Sequence, residues 1–81
     1  MDKINIDKLI QTCAILSKRI CTIEGHRHSS SWIFDQCMRV FDCKLPAESI
    51  TFTVYINAPV MDWGEATIYR DGSMQMRTKS Q

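Results

Sequence analysis

Between Ile50 and Ile56 the chain alternates apolar and polar residues without a fault. Ile50, Phe52, Val54 and Ile56 fall on one side of an extended strand, and Thr51, Thr53 and Tyr55 on the other. Such a strand must have one face covered, because a slip of one residue would carry all four apolar side chains into water. A second extended signal follows. Ala66 to Arg70 and Ser73 to Arg77 flank Asp71-Gly72, the dipeptide that best suits a tight hairpin turn with positive φ at both central residues. A two-residue turn sets Tyr69 opposite Met74, Thr67 opposite Met76, Ile68 opposite Gln75 and Ala66 opposite Arg77. The sequence thus predicts strands over 50–57, 64–70 and 73–79.

The covering layer comes from upstream. Ile6, Leu9, Ile10, Cys13, Leu16 and Ile20 recur at helical spacing, which predicts a helix over 5–24. Asn5 is its N-cap, Ile4 and Leu9 form a hydrophobic staple, and Gly25 is its stop. After a polar loop through Ser31, the residues Ile33, Phe34, Cys37, Met38, Val40 and Phe41 predict a second helix over 31–43, closed off before Pro46. The expected fold class is α+β: two N-terminal helices packed on one face of a three-stranded antiparallel meander, in two layers, with residues 1–81 as one domain. The hairpin's inner face is the less clear one. Tyr69, Thr67, Met74 and Met76 carry more apolar bulk than Ala66, Ile68, Gln75 and Arg77, so they are expected to face the helices. Thr51, Thr53, Tyr55, Arg70, Gln75 and Arg77 would then lie on the open side.

With 81 residues the chain has room for one thin core, and a deep catalytic pocket is hard to build around it. Ten Lys and Arg balance nine Asp and Glu, for a net charge of +1. That excludes a bulk electrostatic grip on nucleic acid and leaves only local patches. Met1 to Asp7 lacks a basic stretch followed by an apolar run, and no segment is apolar enough for a membrane span. A cytoplasmic location follows as the expectation, with Cys13, Cys21, Cys37 and Cys43 reduced.

Several groups of residues invite a chemical reading. His26, His28, Cys37 and Cys43 are zinc-type ligands, but their spacing is not that of knuckle turns, and Cys13 and Cys37 sit on apolar stripes. No nucleophile motif, phosphate loop or dinucleotide fingerprint is present. The chain therefore reads as a non-enzyme without cofactor or metal. His26, Arg27 and His28 lead into Ser29-Ser30-Ser31 at a helix start, where amides and basic side chains attract anions. The ordinary reading of that stretch is a solvated loop with a serine cap. Tyr55, Arg70 and Arg77 on an open sheet face have the chemistry of a base-stacking platform, against a simple solvated face as the alternative. Val60, Met61 and Trp63 form an apolar connection of the kind enriched at interface centres, or else a lid over the sheet end.

The function that fits best is recognition. The chain is expected to be a small protein-binding domain that occupies a surface of a larger protein or nucleoprotein complex. Its contact residues would be His26, Arg27, His28, Tyr55, Val60, Met61, Trp63, Arg70 and Arg77. In size and type it is similar to the small inhibitors that phages and mobile elements direct against host defence complexes, anti-CRISPR proteins among them; no residue carries that comparison. A nucleic-acid-binding module is the alternative and a zinc-stabilised structural module the next. A free sheet edge also points to a homodimer.

Overall fold

The structure is a computed structural model and describes residues 3–19, 22–56 and 62–78. Two helices cover one face of an antiparallel sheet, as the α+β pattern predicts, but the sheet has four strands. The order is α1 (Ile6–Arg19), β1 (Thr22–Ile23), α2 (Ser30–Phe41), β2 (Ser49–Ile56), β3 (Asp62–Tyr69) and β4 (Met74–Thr78). The strands lie side by side as β1-β2-β3-β4, every pair antiparallel.

Asn5 caps α1 as expected: its side-chain oxygen accepts from the Lys8 amide at 3.2 Å. The far end of α1 differs from expectation. The helix is described as far as Arg19, residues 20 and 21 lie outside the described residues, and Thr22-Ile23 already belong to the sheet beside Tyr55 and Val54. Ile23 is fully buried there. Gly25 has the positive φ that suits a helix stop, but it uses it in a reverse turn. Glu24 at φ 51° and Gly25 at φ 87° are the central pair, and Ile23 and His26 exchange backbone bonds of 2.8 and 2.9 Å across them. A helix running to residue 24 would have left β2 without this neighbour.

Ser29 caps α2, accepting from the Trp32 amide at 3.2 Å. α2 ends at Phe41, two residues short of the expected end and well before Pro46. The core joins Leu9, Cys13 and Leu16 of α1, Ile33, Cys37 and Phe41 of α2, and Ile23, Phe52, Val54, Ala66 and Ile68 of the sheet.

The hairpin corrects the expected register by one residue. Ile68 opposes Met74, Thr67 opposes Gln75, Ala66 opposes Met76 and Glu65 opposes Arg77. The loop is Arg70-Asp71-Gly72: Tyr69 donates to the Ser73 carbonyl at 2.9 Å, and Gly72 to the Tyr69 carbonyl at 2.9 Å. Gly72, at φ 89°, is the single left-handed residue of this three-residue turn. The extra residue has a clear physical reason. A two-residue turn would set the apolar side chains of the two strands on opposite faces. The three-residue turn puts Ala66 and Ile68 on the same face as Met74 and Met76, all toward the helices. Tyr69 and Thr67, expected inside, face outward instead.

Candidate partner-binding surface

Because both helices lie on one side, the other side of the sheet is bare among the described residues. The register lays out its side chains in rows. Thr22, Tyr55 and Trp63 form the first; Thr53, Glu65 and Arg77 the second; Thr51, Thr67 and Gln75 the third; Ser49 and Tyr69 the fourth. Trp63 is 39% exposed and stands directly across from Tyr55 in the ladder, on the same face of the sheet. The middle is threonine-rich, with the Thr51 and Thr67 hydroxyls bonded at 2.9 Å. Tyr69 closes the far end and donates its hydroxyl to Gln75 Oε1 at 3.2 Å. Glu65 and Arg77 place opposite charges opposite one another. Large flat rings, small hydroxyls and balanced charge thus share one face.

The expected contact residues divide into groups. Tyr55, Trp63 and Arg77 share this open face, although Trp63 reaches it from β3 and not from a loop. Val60 and Met61 lie outside the described residues.

His26, Arg27 and His28 follow the β1 turn at the sheet's margin. There His28 stacks on Trp32, with ring centroids 3.5 Å apart and planes tilted by 11°. Trp32 in turn meets the buried Phe52 ring at 6.2 Å, and His26 lies 6.2 Å from His28. The loop is thus pinned to the core by a file of rings, while His26 and Arg27 remain exposed.

Arg70 is the correction among them. It is 7% exposed, and its Nη1 donates to the carbonyls of Phe41 at 2.6 Å and Ala47 at 3.4 Å. Phe41 is the last residue of α2, whose carbonyl has no partner within the helix. Arg70 therefore closes the helix end from the hairpin and does not belong to the open face. Tyr69, Glu65 and Thr67 are the face residues that the sequence reading missed, and the turn length was the signal that would have found them.

The zinc-type residues are dispersed. Among the described residues no three His, Cys, Asp or Glu side chains gather where a metal could be held. Cys37 is buried in the core, where its thiol shares a hydrogen bond with Cys13; that bond first, and burial second, push its pKa far above the usual thiol range. Cys43 is exposed after α2, its thiol 3.6 Å from the Val40 carbonyl.

Open hollows lie among the described residues as well. One, of about 370 Å³, runs between the helices and is lined by Ile10, Cys13, Ser30, Ser31, Phe34 and Asp35. Another, of about 260 Å³, lies at the hairpin between Glu48, Tyr69, Arg70, Asp71 and Ser73. Neither is lined by a histidine, so neither pairs a nucleophile with an imidazole base. Among the described residues no helix is long and apolar enough to cross a membrane. No family model, no curated protein and no solved structure matches this chain.

Proposed function

We propose that the protein is a non-catalytic binding domain that works by laying the open face of its sheet against a larger protein. The observation that carries this reading is the cross-strand pair Tyr55–Trp63 at the head of a sheet face that α1 and α2 leave open. Aromatic rings supply much of the energy of protein contacts, and here Tyr55–Trp63 at one end and Tyr69 at the other bracket a polar middle of threonines and the Glu65–Arg77 pair. His26 and Arg27, beyond β1, extend the contact at its margin. An inhibitor of a host complex, of the type carried by phages and mobile elements, is the role we assign to such a domain; size and the lack of a catalytic constellation among the described residues support it.

The test uses the whole chain as bait in its native host. Wild type and a Tyr55→Thr/Trp63→Thr variant are compared, with melting curves confirming that both are folded. The expected result is one or a few proteins held by wild type and lost by the variant. Equal recovery on both baits removes the sheet face as the contact.

A further inference from the structure

We infer that the outer edge of β4 pairs with β4 of a second copy of this chain, antiparallel and centred on Met76, joining two four-stranded sheets into one. The phase of the ladder decides which groups are offered. The Tyr69 amide donates to Ser73, which makes Tyr69 and Ser73 a bonded pair. Bonded and non-bonded pairs alternate in an antiparallel ladder, so Thr67–Gln75 and Glu65–Arg77 are bonded as well. Met74, Met76 and Thr78 must then turn their amides and carbonyls away from β3. Among the described residues nothing in the backbone meets them, because β4 is the last strand of the sheet.

The two edges of the sheet are treated differently. β1 is two residues long and turns back on itself at Glu24-Gly25, which leaves little to pair with. β4 has five residues in unbroken register, with no bulge and no proline. Bulges and prolines are two of the usual guards against edge pairing, and β4 has neither.

The register with a second copy follows from charge and length. Centring on Arg77 would set two arginines opposite one another. Centring on Gln75 would leave Thr78 beyond the pairing. Centring on Met76 uses every outward-turned group: Met76 meets the second copy's Met76, and Met74 meets the second copy's Thr78. Gln75 then lies opposite the second copy's Arg77, an amide acceptor facing a guanidinium, and the two-fold axis repeats the pair. On the inner side the half-buried Met74 and Met76 gain cover. This pairing uses the strand edge and does not rest on the partner-binding reading; it would set two open faces side by side.

Sedimentation of the full chain over a wide concentration range tests it. Wild type should dimerise reversibly. Gln75→Arg opposes like charges twice and should weaken the dimer roughly ten-fold, whereas Gln75→Glu should tighten it several-fold. Position 75 points to solvent, so both variants should melt near wild type when dilute. If Gln75→Arg fails to fold, Gln75→Glu decides alone. A wild type that stays monomeric up to its solubility limit overturns the pairing, and so does a dimer whose affinity Gln75→Glu does not raise.

Discussion

Gly72 shows how one residue can tie a sheet to a helix. A Cβ added there would come within 2.7 Å of the Lys8 Cβ and 3.0 Å of the Leu9 amide nitrogen, both on α1. The Gly72 carbonyl also accepts the buried Thr12 hydroxyl, so the turn and the helix touch on both sides of the peptide. Gly72→Ala would combine a left-handed φ with that clash, and we expect it to cost about 2–4 kcal/mol. At this size such a loss lowers Tm by roughly 10–25 °C, which a thermal melt reads directly; a fall of less than a few degrees would mean that α1 can retreat. Arg70 acts the same way at the other helix. Arg70→Met keeps the length but leaves the Phe41 carbonyl without its charged donor, an expected loss of about 2–3 kcal/mol. Arg70→Lys should recover only part of it, since one ammonium cannot reproduce the guanidinium fork. Urea unfolding of the three proteins checks the order.

At the scale of elements, the strands were legible wherever one face alone had to be buried. β2 follows its alternation: Phe52 and Val54 are buried and Thr51 is exposed. The α1 stripe was wider than its buried face. Ile6 and Ile10 stand 39% and 51% exposed, while Thr12 is inside because the hairpin lies over it and its Gly72 carbonyl accepts a hydrogen bond from the Thr12 hydroxyl. β1 was hidden because Thr22 and Ile23 also fit a helical spacing, and their strand pairing depends on Tyr55 and Val54, far along the chain. The hairpin register was missed because Asp71-Gly72 suits two turn lengths, and only packing on α1 chooses between them. The longer turn has its own signature. Asp71 Oδ1 accepts from the Ser73 hydroxyl at 2.6 Å and the Ser73 amide at 2.9 Å. Those bonds, the hydroxyl's first, and then the nearby Lys8 charge hold the carboxyl below its usual pKa of 3.8. A folded-state pKa below the unfolded one gives stability that is full above the unfolded value and lost as pH falls through the folded one. Melting curves of wild type and Asp71→Asn should therefore differ at neutral pH and converge as the pH drops below about 4. Curves that stay parallel would show that the charge contributes nothing to the turn.

Taken whole, the molecule is one layer of helix on one layer of sheet, and this sets which residues can serve stability and which are left for recognition. On the inner sheet face Ile23, Phe52, Val54, Ala66 and Ile68 are buried in the core with α1 and α2, and Ile50, Met74 and Met76 pack partly buried against it. The outer face points away from α1 and α2, yet it carries Tyr55, Trp63 and Tyr69 where threonine alone would suffice for a strand. If those rings serve a partner, removing them should hardly touch the fold. Ile68 and Trp63 make the comparison on a single strand: Ile68 is fully buried, and Trp63 points the other way. Ile68→Ala should cost about 2–4 kcal/mol through lost burial and the cavity left behind. Trp63→Thr should cost no more than about 1 kcal/mol, the worth of one cross-strand pair, because threonine keeps the strand preference. Equilibrium unfolding of both variants gives the two numbers. A Trp63→Thr loss as large as that of Ile68→Ala would make the indole part of the scaffold, and the face would then have to bind through Tyr55, Tyr69 and the charged pair alone.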